Sequence, residues 1–412
     1  MIIPSIDLMN GAAVQLRQGR DKLLTDPRDP VELARYFGRF GPVAVVDLDA
    51  ALGKGSNTDI VARCCRVAEC RVGGGIRTAE QVREWIRRGA QKVVIGTRAE
   101  PDFLKEFPKQ WIVAAIDARG SEVVDEGWTR GTKRNVIEKA EELADHCSEF
   151  LFTQVEREGM LAGADRELAE AIRERVKVPV TVAGGVRSAT EAAELVRAGF
   201  SCQLGRAVYE GTLDLAEAWV DAVAFNDAGL VPTVVQDAVR GQVLMLAWSN
   251  ADSLKIALNE GVGCYWSRSR QQLWRKGETS GHTQRLVSAR FDCDRDTVLL
   301  HVEQIGPACH TGRDTCFGDT ATGVLAGLHE TLCERREAIA AGGAVSYTQQ
   351  LLIDPLRLAG KLREETEEVI VAPDRDNLRW ECADLMYHLL VRMVAEDITP
   401  DDVFAELRSR MK

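Results

Sequence analysis

Short β-forming apolar runs alternate with amphipathic stretches over the first 223 positions of the chain. The apolar runs are VAVVDL (43–48), KVVIG (92–96), WIVAAID (111–117), FLFT (150–153), VPVTVAGG (178–185) and CQLG (202–205). Between them, AEQVREWIRRG and ATEAAELVRAG carry apolar residues at helical spacing. Strand–helix alternation of this length predicts a parallel sheet, either open or closed as an eight-fold barrel. AFNDAGLVP, at 224–232, ends the alternation. After it VPTVVQD, QVLMLAW, GCYWSRSR, RFDCDRDTVLL and TVLLHVEQIG predict a β-rich region up to 319. From 320 the chain reads as helices. KLREETEEVIVA and NLRWECADLMYHLLVRMV repeat at i, i+3, i+4 and i+7, punctuated by Pro355, Pro373 and Pro400. The pattern divides the chain into domains at 1–223, 224–319 and 320–412.

An internal repeat selects the closed barrel. IPSID at 3–7 returns as VAAID at 113–117, which puts Asp7 and Asp117 110 positions apart. VGGGIRTAE at 72–80 returns as VAGGVRSAT at 182–190, again offset by 110. VIGTRA at 94–99 is echoed by QLGRAV at 203–208. Two equal halves of four strand–helix units make one (β/α)8 TIM barrel with pseudo-two-fold symmetry.

Composition narrows the class. The chain has 412 residues, is 45% hydrophobic and 28% charged, and carries a net charge of −11. These values fit an ordinary globular protein and argue against a nonspecific nucleic-acid partner. The start, MIIPSIDLMNG, has no basic leader region, and no apolar run approaches 18 residues, so neither a signal peptide nor a membrane span is expected. Eleven scattered cysteines suit a reducing cytoplasm better than a disulfide framework. Cys64, Cys65, Cys70, Cys147 and Cys202 read as small core residues.

Glycines between a strand and a helix offer backbone N–H groups to a phosphate. Gly74 and Gly75 with Gly96 and Thr97 form one candidate cup, and Gly184 and Gly185 with Gly205 and Arg206 form the other. Two such cups imply a substrate with phosphate at both ends. Asp7 and Asp117 end strands one and five, facing one another across the same mouth, and suit general acid and base work. IPSIDLMNG, VVDLDAALGKG, VGGGIR, VVIGT, IDARG, EGW, AGGVRS and LGRAVYEG resemble phosphoribosylformimino-AICAR-phosphate isomerase, a barrel of histidine biosynthesis. The resemblance implies an Amadori rearrangement of an aminoaldose to an aminoketose, without a cofactor. It gives Asp7 and Asp117 the acid/base roles and places Thr153 near the reacting sugar. The family's usual loop after strand six departs here to TQVEREGM, with Gln154, Glu158 and Met160 as replacements. Those replacements leave two other readings open: a noncatalytic or weakly active binding module, or a barrel that also isomerises phosphoribosylanthranilate.

In RFDCDRDTVLL, Asp292, Asp294 and Asp296 occupy alternate positions with Cys293 between the first two. A strand would send the three carboxylates to one face, roughly 6.8 Å apart, and the thiol to the other. Cys309 in GPACHTG and Cys316 in DTCFG complete a set of three thiols, the number of protein ligands usual in catalytic zinc sites. LMLAWSN, YWSRSRQQLWRKGETSGHTQ, DCDRD and GPACHTGRDTCF are similar to phosphoribosyl-AMP cyclohydrolase, an α+β enzyme that opens the adenine ring. By that resemblance Cys293, Cys309 and Cys316 bind zinc, with Cys293 supplied across a homodimer interface. Asp292, Asp294 and Asp296 match the magnesium ligands. His310, beside a ligand, is the candidate proton shuttle, with a role in orienting the ligand as the alternative. Arg268, Arg270, Arg275 and Lys276 offer cations to substrate phosphates.

In the helical region Glu364, Glu365 and Glu368 share one helix and Glu381 and Asp384 the next, at i, i+3 or i, i+4 spacing. Facing carboxylate sets suit magnesium holding a polyphosphate. Glu381 and Asp384 sit inside the apolar run WECADLMYHLLV, where burial would be costly without a metal. SYTQQLL, KLREETEEV and ECADLMYHLL resemble the all-helical phosphoribosyl-ATP pyrophosphohydrolase, with Lys361 as a further phosphate contact. A general nucleotide-cleaning activity is the rival there. The three resemblances imply three consecutive reactions on phosphoribosyl nucleotides, ordered along the chain in reverse.

Overall fold

The computed structural model describes residues 1–17, 21–125, 127–128, 130–318, 323–341 and 346–410. Glu126 of the EGW motif and the 319/320 boundary lie outside the described residues. The chain forms two compact units. One covers Met1–Ala238 and Val243–Asp319 with Arg408–Lys412, and the other covers Val239–Gln242 and Thr320–Leu407.

Eight parallel strands close a barrel in the first unit: β1 (Ile2–Met9), β2 (Val43–Asp47), β3 (Cys70–Gly73), β4 (Lys92–Ile95), β5 (Ile112–Arg119), β6 (Glu149–Gln154), β7 (Val180–Ala183) and β8 (Ser201–Leu204). β8 pairs with β1, and β5 pairs with β6, so the ring leaves no edge. Strands β3 and β7 are buried at every position, Arg71 of β3 and Thr181 of β7 included. The helices Ala79–Arg87 and Ala189–Arg197 start at hydroxyl caps, Thr78 and Ser188, one in each half of the repeat. Cys64, Cys70, Cys147 and Cys202 are buried and Cys65 is half-buried. All eleven cysteines are free thiols.

The repeat extends into features that the apolar pattern did not reveal. An antiparallel hairpin, Ala12–Arg17 with Asp21–Thr25, follows β1, and another, Glu122–Asp125 with Arg130–Asn135, follows β5. Asp7 stands opposite Val14, and Asp117 opposite Val124, so the offset of 110 holds on both strands of each pair.

Where the barrel strands begin, Glu149 is buried against Arg71, Lys92 and Thr181. Burial alone would raise its pKa, but the two cations overcome it and hold the carboxyl below its ordinary value.

The middle region is a four-stranded sheet in the order Val243–Ser249, Val231–Asp237, Val298–Gln304, Gln284–Phe291. A two-stranded hairpin, Cys264–Ser267 with Gln272–Arg275, stands beside it. The helix Ala251–Glu260 interrupts the β texture, capped by Asn250 and ended by Gly261 in the left-handed conformation. This region packs on the end of the barrel where the strands begin. Ala289 N–H donates to Arg39 O at 2.9 Å, Arg39 donates to Asn259 O at 2.8 Å, and Arg290 pairs with Glu69. Trp219 of the barrel meets Phe291 with ring centroids 5.3 Å apart.

The second unit is helical, with Val324–Ala341, Tyr347–Ile353, Pro355–Val371, Arg375–Ala395 and Pro400–Ser409 around a core of Leu332, Leu351, Leu358 and Val391. Among the described residues no helix is long and apolar enough to cross a membrane.

Candidate active sites

At the end of the barrel where the strands finish, Asp7 and Asp117 project from β1 and β5 into the mouth. Thr153, on β6, is the pairing partner of Asp117 and is buried. Burial pushes the Asp7 carboxyl up to about 7. Burial also raises Asp117, but hydrogen bonds with the side chains of Trp128 and Thr153 favour its charged form. A third acid joins them. Glu158 is pushed up to about 7 by burial and then by the charges of Asp7 and Asp117. Its residue is one of the departures in the loop after β6, and the structure brings it to the acid pair.

The glycine cups line the same mouth. Gly74, Gly75, Gly184 and Gly185 all take positive φ, at 100°, 70°, 89° and 86°. A side chain on Gly75 would come 2.5 Å from Ala50 O, and one on Gly185 would come 2.5 Å from Gly163 O. Backbone therefore runs against backbone here, with no room for a side chain. Gly96 and Thr97 follow β4. Gly205 precedes the short helix Arg206–Tyr209 after β8. The Arg206 guanidinium is engaged with Glu210, at 2.6 Å, and with Gly159 O, so this side chain ties down the loop after β6. Gln154, buried at the end of β6, donates to Gly120 O at 3.3 Å and Asp165 at 3.1 Å.

In the middle region the predicted strand through Asp292, Asp294 and Asp296 is a loop. Phe291 pairs with Val298, so residues 292–297 form a six-residue hairpin connection. Arg295 takes a φ of 69° and turns it. Asp292 N–H donates to Thr297 O at 3.0 Å, closing the loop on itself. Strand alternation does not apply, and the division of carboxylates and thiol between two strand faces falls with it. The bend gathers the acids more closely than a strand would, with oxygen atoms of all three within 4.8 Å of one another.

Cys309 and Cys316 lie within hydrogen-bonding reach of each other. Thr311 Oγ1 is 3.1 Å from Cys309 Sγ and, with its backbone, lowers that thiol. Burial raises Cys316. Cys293, exposed on the hairpin loop, does not join them in a three-thiol cluster within one chain among the described residues. Lys276 stands near the pair: burial lowers its amine, and Cys316 and Cys309 pull it back up. His310 is exposed, with Nδ1 3.9 Å from Cys309 Sγ. Arg268 lies over the Trp248 ring at 4.6 Å, Arg270 is exposed, and Arg275 makes a two-pronged pair with Glu260 at 2.6 and 2.7 Å.

In the helical unit Glu365, Glu368 and Glu381 bring oxygens within 4.8 Å of one another. Glu364 and Asp384 fall outside that group. Glu365 is the buried member, whereas Glu381 and Asp384, expected inside an apolar face, are half-buried. The helix Arg375–Ala395 exposes part of its apolar run to solvent, with Trp380 68% accessible, so the run does not enclose them. Glu368 is exposed, yet partial desolvation and then the charges of Glu381, Glu365 and Glu364 raise its carboxyl above the ordinary value. Lys361 pairs with Glu364 at 2.9 Å and Glu365 at 3.3 Å. The pattern reading missed His388, buried 3.6 Å from Glu365 and 3.1 Å from the Tyr347 hydroxyl. A histidine inside an otherwise apolar helical run was its one available signal.

Three family models match the chain in sequence. Residues 1–214 match the model for histidine biosynthesis protein, 245–318 that for phosphoribosyl-AMP cyclohydrolase, and 325–411 that for phosphoribosyl-ATP pyrophosphohydrolase. Curated relatives cover the last two. The histidine biosynthesis bifunctional protein HisIE of Bacillus subtilis is 40% identical over 201 residues, spanning 46% of this chain and 95% of the relative. That of Thermus thermophilus is 43% identical over 201 residues, spanning 46% and 93%. That of Halalkalibacterium halodurans is 39% identical over 205 residues, spanning 46% and 96%. With a barrel of the first family joined to both modules of these bifunctional relatives, the chain belongs to the histidine biosynthesis protein family as a fusion with phosphoribosyl-AMP cyclohydrolase and phosphoribosyl-ATP pyrophosphohydrolase domains.

Proposed function

We propose that this chain carries out three consecutive reactions of histidine biosynthesis. The helical region releases pyrophosphate from phosphoribosyl-ATP, the middle region hydrolyses the adenine ring of phosphoribosyl-AMP between N1 and C6, and the barrel isomerises the resulting aminoaldose to the aminoketose. The observation that carries the barrel step is the doubled mouth: two positive-φ glycine pairs and two carboxyls at one end, each pair related by the offset of 110. A substrate with phosphate at both ends spans the cups. One carboxyl of the Asp7–Asp117 pair gives a proton to the ring oxygen while the other takes the proton from the adjacent sugar carbon. Burial raises both carboxyls, Asp7 to about 7, which lets Asp7 exchange protons in both directions near neutral pH. Glu158 adds a third proton-holding group beside them.

Cys309 and Cys316, with Cys293 from a second copy in a homodimer, are the soft donors suited to zinc. Zinc, when bound, supplies a water acidic enough for hydrolysis at neutral pH. His310 moves the proton beside it, and Lys276 and Arg268 hold substrate phosphate or stack against its base. Asp292, Asp294 and Asp296 offer hard oxygen donors to magnesium. Glu365, Glu368 and Glu381 do the same in the helical unit, with Glu364 and Asp384 alongside and Lys361 ready to exchange its carboxylate partners for phosphate. The raised pKa of Glu368 supports this: the carboxylates of Glu381, Glu365 and Glu364 crowd it with like charge, which a bound cation would relieve.

The test is to give the full chain phosphoribosyl-ATP with magnesium and zinc and to follow products by mass. The aminoketose supports all three steps. Accumulation of the ring-opened aminoaldose leaves the barrel as a binding module, the reading motivated by Gln154, Glu158 and Met160. Equal turnover of common nucleoside triphosphates would overturn the substrate assignment for the helical region.

A further inference from the structure

Between the barrel and the middle region, one residue has an arrangement that the reactions do not explain. Arg295 is the turning residue of the hairpin loop 292–297, between Asp294 and Asp296. It holds a left-handed φ of 69°, a conformation that is costly for a non-glycine residue. Its carbonyl accepts the Ala224 N–H at 2.9 Å, just beyond the barrel's last helix, Leu215–Asp221. Its Nε is buried without a protein partner. Its charge also reaches the barrel floor. The Met1 amine, already lowered to about 6 by burial, is pressed the same way by Arg71 and Arg295. The flanking strand adds the Phe291–Trp219 ring contact and the Arg290–Glu69 pair. The three aspartates nevertheless stay exposed.

We propose that Arg295 is a positioning residue, through which the floor of the barrel holds the DCDRD loop in the shape that gathers Asp292, Asp294 and Asp296. This rests on the reading of that loop as a divalent-cation site. A loop with three close carboxylates repels itself, and a connection free at its tip would open to separate them. Two things oppose the opening. The backbone at 295 is bonded to Ala224, and the guanidinium is seated on the barrel side while the acids face solvent. The isomerase barrel thus serves the neighbouring reaction as a foundation, from the end opposite its own mouth.

The experiment uses the full chain carrying Glu368→Gln and Glu381→Gln, which disable the helical carboxylate cluster. Manganese(II) binding is then measured by calorimetry, and amide exchange is followed over residues 292–297. Arg295→Ala is expected to weaken binding about 10- to 100-fold, the usual loss when a group that orients metal ligands is removed, and to speed exchange across the loop. Arg295→Lys, which keeps length and charge, is expected to recover most of both. Arg295→Gly separates anchoring from strain, because glycine relieves the φ penalty but loses the anchor. It should be as weak as alanine or weaker. The barrel reaction, at the far end, reports that each variant has folded and should not change. Parental affinity and exchange in Arg295→Ala would overturn the proposal, as would tighter binding in Arg295→Gly. If the parent itself shows no manganese binding that Asp294→Asn removes, the cation reading beneath the proposal fails instead, and unchanged exchange in Arg295→Ala then separately decides the anchoring.

Discussion

The barrel mouth and the 292–297 loop each collect three acids, and they do so at opposite ends of one barrel. In the mouth Asp7, Asp117 and Glu158 are half-buried, and desolvation lifts all three. On the loop Asp292, Asp294 and Asp296 are gathered with oxygens within 4.8 Å of one another, yet they stand in solvent. The same side chains are therefore prepared for different partners. Enclosed acids without counter-charge bind protons, the smallest cation able to relieve them. Exposed acids keep water at hand and can exchange it for a hydrated divalent ion. Burial decides between proton chemistry and metal chemistry more than the identity of the residue does.

The largest test of this contrast removes a mouth acid. Asp7→Asn or Asp117→Asn should lower kcat for isomerisation by about 10²–10⁴-fold, with KM little changed because the glycine cups are untouched. Steady-state kinetics with the aminoaldose would check it, and a large rise in KM alone would mean that these acids bind rather than react. The next test concerns a buried acid that does have counter-charge. Glu149→Ala should destabilise the first unit by about 3–5 kcal/mol, measured by denaturant unfolding, since it strands Arg71 and Lys92. On the loop, Asp294→Asn should weaken manganese binding at least about tenfold, ~1.4 kcal/mol, while leaving the barrel rate intact.

The smallest effect is in pH. Asp7 has a raised value, so its contribution to stability is full below its ordinary value of 3.8 and is lost as pH climbs through about 7. Glu149 has a lowered value, so its contribution is present above its ordinary 4.5 and is lost as pH falls. The isomerisation profile should bend near pH 7, where Asp7 and Glu158 change protonation together. A flat profile between pH 6 and 8 would show that the enclosed acids do not set the rate.

Much of this was legible in the chain, for reasons that can be named. The barrel was readable because each half was written twice, and glycines at 74, 75, 184 and 185 mark backbone approaches that no other residue fits. The 292–297 loop was misread because alternating letters look alike in a strand and in a six-residue turn, and Arg295 at positive φ has no signature in sequence. The loop carrying Glu158 was legible as a departure bordering the site, but that its carboxyl feels the charges of both Asp7 and Asp117 emerges from the fold. The helix Ala251–Glu260 is short, and its weak apolar stripe was overshadowed by the strands around it. Cys293 stands apart from Cys309 and Cys316 within one chain.

The hairpins that place Val14 opposite Asp7 and Val124 opposite Asp117 have a consequence for how a ligand enters. A mouth built twice is close to a lock that accepts its key either way up. A molecule with a phosphate on each end can seat in two orientations, of which one presents the reacting sugar to the acids. Wrong-way seating would lower kcat and KM together and leave their ratio unchanged. What tells the two ends apart is the half that is not a copy: Trp128 and Thr153 on Asp117, and Glu158 leaning in from the loop after β6.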